Sequence, residues 1–185
     1  MTNYYFDIES EGFDYDKDQI ITIQYQPLDK DGKPSGELII LKSWESSEEQ
    51  IVKEFHKIFI SDNPFSFTAI GFNLIFDLSF IYSKFKKYNL PLKSKDFMQF
   101  LFRDKPHIDI KYSCIIANNL DFKGSGLDKM TDKKVDGKVV IEWYNNKEYS
   151  KIEEYIKEEA ESFLFALSIM KRDLNNSKSR WKKQK

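Results

Sequence analysis

The chain has 185 residues, of which 41% are hydrophobic, and its 29 basic and 30 acidic residues give a formal net charge of −1. This length and composition predict one domain with its own core, and the balanced charge excludes a uniformly basic nucleic-acid-binding protein. The single cysteine, Cys114, excludes an internal disulfide, and the absence of a leader-like start or a long apolar run predicts a cytoplasmic protein without a membrane span.

Three strands are predicted at the start of the chain. Residues 4–9 alternate in polarity with a period of two, which is typical of a strand. The alternation places Tyr4, Phe6 and Ile8 on one face and Tyr5, Asp7 and Glu9 on the other. Residues 19–26 and 36–41 form the second and third predicted strands, and the turn-rich segment between them predicts an antiparallel hairpin.

The rest of the chain alternates helices with strands. The pattern predicts a helix over 46–60, a strand over 67–72, a helix over 75–88, a strand over 107–110 and a long helix over 148–170. Residues 118–149 are hard to interpret, although 135–139 indicate a small hairpin. A meander followed by crossovers predicts an α/β fold with a mixed five-stranded sheet and helices packed on it.

Carboxylates stand at three places where an ordinary core would be apolar. Asp7 and Glu9 share one face of the first strand, where unpaired charge is costly beneath a covering helix. Asp77 lies in the first turn of an otherwise apolar helix. In the last helix, Glu159 fills a gap in the apolar stripe, one turn after Tyr155. The residues of that stripe are Ile152, Ile156, Phe163, Leu167 and Met170.

Each of these acids alone has an ordinary structural explanation: a solvated strand end, a favourable interaction with the helix dipole, or a solvated edge of the stripe. Together they indicate a cation site, because hard divalent ions take carboxylate and water oxygens as ligands. Two such ions about 3.5–4 Å apart can clamp both oxygens of a phosphoryl displacement. We therefore expect two divalent metal ions, Mg²⁺ or Mn²⁺, at one rim of the sheet, where sites of open α/β folds usually form.

Three segments resemble the motifs of a known family. Phe6-Asp7-Ile8-Glu9-Ser10 resembles the first motif of the DEDD exonucleases, residues 72–78 (FNLIFDL) resemble the second, and residues 154–161 (EYIKEEAE) resemble the third. The motifs occur in the family's order and span nearly the whole chain. The chain is thus similar to the proofreading domain of family B DNA polymerases and its stand-alone relatives.

The resemblance implies an RNase H-like fold with helices on both faces of the sheet. It also implies the tyrosine branch (DEDDy), because Tyr155 precedes the last acid by four residues while Glu154 stands where the other branch has histidine. Tyr155 would position the attacking water, since an ordinary Tyr pKa near ~10 makes it a poor base. The implied catalytic residues are Asp7, Glu9, Asp77, Tyr155 and Glu159, and the four acids among them would be the metal ligands.

The same resemblance places substrate-binding residues. Ser10, Asn73 and Phe76 stand where the family contacts the 3′-terminal nucleotide. A weaker match places Leu127-Asp128 and Asp109 where relatives have a leucine-containing segment and a strand aspartate.

One position departs from the family pattern. The third motif normally has aspartate four residues after its tyrosine, and here Glu159 occupies that position. The extra methylene moves the carboxylate outward, and a misplacement of about 1 Å can cost ~10²-fold in rate. The site would then be either adjusted to glutamate or weakened, while still binding nucleic acid.

These observations predict a metal-dependent 3′→5′ exonuclease acting on single-stranded or frayed DNA. The alternatives are an exoribonuclease on short RNA and a catalytically weak nucleic-acid-binding domain. Residues 1–171 are expected to form the exonuclease domain and 172–185 a basic tail. The tail, with Trp181 among its lysines, either follows a phosphate backbone or is a solvated helix extension. The partner predicted is nucleic acid, and the sequence does not indicate whether the chain also has a protein partner.

Overall fold

The computed structural model describes residues 2–130 and 137–183. Within them it has a mixed five-stranded sheet in the order β3-β2-β1-β4-β5, which confirms the predicted fold class. The strands are β1 Asn3–Ser10, β2 Ile20–Leu28, β3 Ile39–Lys42, β4 Thr68–Gly71 and β5 His107–Asp109. The helices are α1 Glu48–Phe59, α2 Leu74–Lys87, α3 Phe97–Gln99, α4 Lys111–Ala117, α5 Leu127–Met130, α6 Val139–Asn145 and α7 Tyr149–Lys183.

Strand β1 is the centre of the sheet. It pairs antiparallel with β2 and parallel with β4, while β2 also pairs antiparallel with β3. Strand β5 extends the sheet in parallel with β4. The antiparallel half is therefore the predicted meander, and α1 provides the crossover that a parallel β1–β4 pair requires.

The alternation along β1 separates two cores. Phe6 and Ile8 pack with α1 and α2 on one face of the sheet. Tyr5 packs on the other face, where its ring centroid lies 4.9 Å from that of Phe163 in α7. Helices thus cover both faces, and the predicted division of the strand's side chains is confirmed.

Several predicted boundaries were wrong. Strand β3 begins at Ile39 rather than at residue 36, because the chain is still folded back on the end of β2, with Ser35 N donating to Pro27 O. Helix α7 continues past residue 170 to Lys183. The hairpin expected at 135–139 lies outside the described residues at 135 and 136, and Val139 begins α6.

Among the described residues, no helix has both the length and the hydropathy that crossing a bilayer requires.

Candidate metal centre

Strand β1 extends beyond its parallel partner, and this exposes one edge of its backbone. The β1–β4 ladder ends at the pair Tyr5–Ile70, whereas β1 continues to Ser10. The N–H of Ile8 therefore has no partner in β4, and it donates to Oδ1 of Asp77 at 3.1 Å. A buried backbone donor needs an acceptor, and here the first turn of α2 supplies it. This bond draws the carboxylate of Asp77 to the end of β1.

Three other carboxylates converge at the same place. Asp7, Glu9 and Glu159 each offer a ligand oxygen, and these oxygens all lie within 4.8 Å of one another. Asp7 and Glu9 come from β1 and Glu159 comes from α7. The contact of Tyr5 with Phe163 sets the spacing, because Phe163 lies one helical turn after Glu159.

Asp77 is the most deeply buried acid of the group, with 3% of its surface exposed. Burial, followed by the charge of Asp7, raises the pKa of Asp77 well above its usual range. Hydrogen bonds from backbone N–H groups oppose the shift without cancelling it. Burial and the neighbouring charge therefore both destabilise ionised Asp77, which favours a proton or a cation at this carboxyl group.

A buried pair on β2 fixes the orientation of Asp7. Gln24, directly opposite Asp7 in the sheet, donates from Nε2 to Oδ2 of Asp7 at 2.7 Å. Thr22 in turn donates its hydroxyl hydrogen to Oε1 of Gln24 at 2.9 Å. Neither residue was predicted to belong to the site. The signal was present, however, because polar residues alternate along β2 and directly opposed residues of an antiparallel pair share a face.

Tyr155 lies one turn before Glu159 and donates a hydrogen bond to it. Burial, followed by the charges of Glu9 and Glu159, raises the pKa of Tyr155 above its usual value. The segment leading into α6 lies close by: a Cβ at Gly137 would come within 3.2 Å of the Tyr155 hydroxyl oxygen. The hydroxyl is thus a protonated donor beside the carboxylates.

Tyr5 is a second tyrosine that sequence reasoning did not assign to the site. Its side chain is 2% exposed, and its hydroxyl has no hydrogen-bond partner among the described residues. Burial, followed by the charges of Asp7 and Glu159, raises its pKa well above the usual value. The hydroxyl is therefore an unsatisfied donor next to the acids.

The start of α2 is held by the strand aspartate that matched the family weakly. Asp109, the last residue of β5, accepts hydrogen bonds from the N–H groups of Asn73 and Leu74, both at 2.9 Å. Asn73 has a left-handed backbone with φ of 62°, and its side-chain oxygen accepts from Lys111 Nζ at 2.8 Å. Asp109 thus positions the helix that carries Asp77, and it is not part of the carboxylate cluster.

The other substrate-binding candidates lie at the rim. Ser10 donates its hydroxyl hydrogen to Gly12 O at 2.6 Å, at the start of the loop after β1. Phe76 is half-buried, and its ring meets that of Phe13 edge-on with centroids 6.1 Å apart. Phe13 is 73% exposed and was not predicted. Leu127 packs in the same core cluster as Tyr5 and Phe163.

The donor set fits a divalent cation. Its ligand atoms are carboxylate oxygens, which suit Mg²⁺ and Mn²⁺. Burial and, after it, the charge of Asp7 raise the pKa of Asp77, and a bound cation would offset both effects. The unsatisfied hydroxyl of Tyr5 also indicates that this group of residues is completed by something it binds. We conclude that the cluster could hold a metal ion.

The chain is similar to known proteins in its sequence family and in its fold. A family model described as the RNase H superfamily matches residues 4–167. No curated protein matches the sequence. Solved structures of exonuclease I are similar in fold, and three of them illustrate the similarity.

The zinc-bound complex of E. coli exonuclease I with single-stranded DNA matches with a TM-score of 0.56 and 14% identity, over 71% of this chain and 34% of that chain. A further exonuclease I structure matches with a TM-score of 0.53 and 13% identity, over 69% of this chain and 34% of that chain. E. coli exonuclease I with a dA16 oligonucleotide matches with a TM-score of 0.52 and 15% identity, over 66% of this chain and 31% of that chain. The match therefore covers about a third of the length of those proteins.

Proposed function

The chain belongs to the RNase H superfamily, and from that premise we propose that it is a metal-dependent 3′→5′ exonuclease acting on single-stranded or frayed DNA. The observation that carries the proposal is the convergence of Asp7, Glu9 and Glu159, whose ligand oxygens lie within 4.8 Å of one another. The similarity to exonuclease I, some of whose structures contain single-stranded DNA, supports the same substrate class. We propose the DEDDy branch because Tyr155 adjoins Glu159.

The carboxylates would hold two divalent ions, which we propose to be Mg²⁺ or Mn²⁺. Such ions, when bound, stabilise the charge that develops on the attacking and leaving oxygens of a phosphodiester. Asp7 is oriented for this role by Gln24. Asp77 is held at the end of β1 by the N–H of Ile8. The chain thus fixes its ligands before any substrate arrives, as an electrostatically preorganised site requires.

Tyr155 would orient the attacking water rather than deprotonate it. Its pKa is raised by burial and by the neighbouring carboxylates, so the phenol keeps its proton at neutral pH. A protonated hydroxyl can donate to Glu159 and accept from a water at the same time. That geometry would direct the lone pair of the water towards the phosphorus atom.

The rim residues would hold the terminal nucleotide. Phe76 and the exposed Phe13 present aromatic surface on which a base can stack. Ser10 and Asn73 would contact the sugar and phosphate. Because stacking on aromatic rings tolerates every base, we expect little sequence preference.

The direct test is degradation of a 5′-labelled single-stranded DNA in the presence of Mn²⁺. We expect a ladder of products shortened from the 3′ end, since cleavage releases mononucleotides from that end. Asp7→Ala and Asp77→Ala should leave the label on full-length DNA, whereas Asp173→Ala, an exposed change in α7, should degrade it at the wild-type rate.

Two further arms define the activity. A 3′-labelled substrate should lose its label in the first turnover, because the labelled nucleotide is the first product. RNA of the same sequence tests the exoribonuclease alternative, which differs by acceptance of the 2′-hydroxyl. Intact DNA and intact RNA after incubation with wild type would contradict the proposed enzyme and leave a nucleic-acid-binding domain.

A further inference from the structure

A cleft of about 640 Å³ lies between the loop after β1 and the outer face of α2. We refer to it as the α2 cleft. Tyr15 belongs to the loop wall, Ser79, Ser83 and Lys86 belong to α2, and Phe97 closes the far side. None of these residues belongs to the carboxylate cluster.

The α2 cleft continues the rim of the candidate metal centre. Phe76, Ser79, Ser83 and Lys86 follow one another at intervals of three or four residues, so they form one stripe along α2. At 1.5 Å per residue, Lys86 lies about 15 Å along the helix from Phe76. The other wall is also continuous, because Phe13, which contacts Phe76, and Tyr15 are in the same loop. The stripe therefore leads away from Asp77.

The loop wall is held in place by hydrogen bonds from two side chains of α2. Ser83 donates its hydroxyl hydrogen to Oδ1 of Asp16 at 2.8 Å. The fully buried Lys84 donates from Nζ to Tyr15 O at 3.1 Å and lies 3.7 Å from Glu48. These contacts hold the backbone of Tyr15, while 48% of its surface stays exposed. An exposed ring on an immobilised loop loses little conformational freedom when it binds a ligand.

The chemistry of the cleft suits a single strand of nucleic acid. Tyr15 and Phe97 provide aromatic surface, and the exposed ammonium of Lys86 lies 5.6 Å from the centroid of the Tyr82 ring. The lining also contains an acid, Asp16, which accepts a hydrogen bond from Ser83. The second cation, Lys87, is held by Glu48 at 2.7 Å. Lys86 is thus the cation best placed to meet a phosphate.

We propose that the α2 cleft binds the nucleotides immediately 5′ of the terminal nucleotide, with bases on Tyr15 and Phe97 and a phosphate on Lys86. Rings combined with a cation are the usual means of holding a single strand without reading its sequence. This proposal rests on the proposed exonuclease function for the polarity of the strand. Binding to the cleft itself can be measured without cleavage.

The test measures oligonucleotide affinity in the full chain carrying Asp77→Asn, so that DNA is retained during the measurement. Fluorescence anisotropy with labelled dT dinucleotide and dT dodecanucleotide separates the terminal site from the cleft. The dodecanucleotide should bind more tightly. Lys86→Glu should weaken the binding of the dodecanucleotide about tenfold. It should also reduce the number of counterions released on that binding, measured from its salt dependence, by about one. The affinity for the dinucleotide should change less than about twofold.

A second variant tests the rings. Tyr15→Ala should weaken dodecanucleotide binding roughly 5- to 20-fold, again without affecting the dinucleotide, because the backbone oxygen held by Lys84 is unchanged. Lys57→Glu on α1 and Tyr112→Ala on α4 are matched changes at exposed positions outside the cleft. Both should retain the affinity of the Asp77→Asn parent.

The cleft proposal is overturned if the dodecanucleotide gains nothing over the dinucleotide, or if the cleft variants bind it as the parent does. Equal weakening of both oligonucleotides, or by the matched controls, also contradicts it. Degradation by the chain without Asp77→Asn is assayed in parallel. If the chain does not degrade DNA but the cleft variants bind the dodecanucleotide more weakly than the parent, the exonuclease function alone is refuted. If the chain degrades DNA but the cleft variants bind the dodecanucleotide as the parent does, the cleft proposal alone is refuted.

Discussion

Glu159 is the residue at which this chain departs from the motif it resembles. Its carboxylate nevertheless reaches the acids of β1, with ligand oxygens within 4.8 Å of those of Asp7 and Glu9. The distance between β1 and α7 is set by the Tyr5–Phe163 contact, whose ring centroids are 4.9 Å apart. Two aromatic rings hold strand and helix further apart than small side chains would. We infer that the longer acid compensates for this spacing.

That inference predicts the effect of restoring the family residue. Glu159→Asp should withdraw the carboxylate by about one bond length and slow nucleotide release roughly 10- to 100-fold. Glu158→Asp, the same change at the exposed neighbouring position, should have no effect. Single-turnover degradation under saturating Mn²⁺ measures both. A rate for Glu159→Asp equal to or above that of the original chain would show that the spacing favours aspartate.

At the scale of elements, local periodicity in the sequence predicted which side chains of a strand or helix share a face. Alternation in β1 separated Phe6 from Tyr5 correctly, and the helical stripe located α7 with Tyr155 and Glu159 on one face. Helices α3 to α6 were missed because short helices depend on the surface they pack against more than on their own propensity. The contribution of Gln24 to the site required the β1–β2 register, which places it opposite Asp7.

Helix α2 shows how one distant residue positions an element. Asp109 lies 35 positions after Leu74, yet its carboxylate accepts from the N–H groups at the start of the helix. A sequence window cannot contain both partners. The carboxylate satisfies two otherwise unpaired donors and carries the charge that a helix N-terminus favours. The placement of Asp77, in this same first turn, depends on these hydrogen bonds.

Asp109→Ala should therefore loosen the start of α2. We expect a loss of about 1–2 kcal/mol in the free energy of unfolding, as for other capping carboxylates, and weaker Mn²⁺ binding because Asp77 is less well positioned. Urea denaturation and isothermal titration with Mn²⁺ measure the two effects. Asp173→Ala is the control for the loss of a surface carboxylate. Unchanged stability of Asp109→Ala would show that Asp109 does not hold the helix.

At the scale of the whole molecule, α7 connects the carboxylate cluster to the turn between β2 and β3. Glu159 lies beside Asp7, Phe163 beside Tyr5, and Leu167 beside Gly32 in the β2–β3 turn. The helix therefore runs away from the site, and Lys178 lies about 28 Å along its axis from Glu159. We propose residues 1–171 as the catalytic unit and 172–185 as an extension. This geometry weighs against the basic tail following the strand that is cut.

The balanced net charge of −1 conceals a local concentration of four acids near the end of β1. Burial and Asp7 raise the pKa of Asp77 in the folded chain above the value of about 3.9 expected when unfolded. The folded state then binds more protons than the unfolded state above about pH 4, so stability falls as pH rises through the folded pKa. The fold is thus weakened at neutral pH by the ionisation of a buried carboxyl group.

Asp77→Asn should reverse this weakening, because the amide oxygen can still accept from Ile8 N while the charge is removed. In EDTA at pH 8 we expect its melting temperature to exceed that of the unsubstituted chain by roughly 2–6 °C, and the difference should shrink towards pH 4.5. Saturating Mn²⁺ should reverse the order, since a ligand that binds the native state stabilises it by mass action. Asp173→Asn should have the same melting temperature as the unsubstituted chain in EDTA at each pH and in saturating Mn²⁺. If Asp77→Asn melts lower in EDTA at pH 8, repulsion among the acids does not limit the stability of this fold.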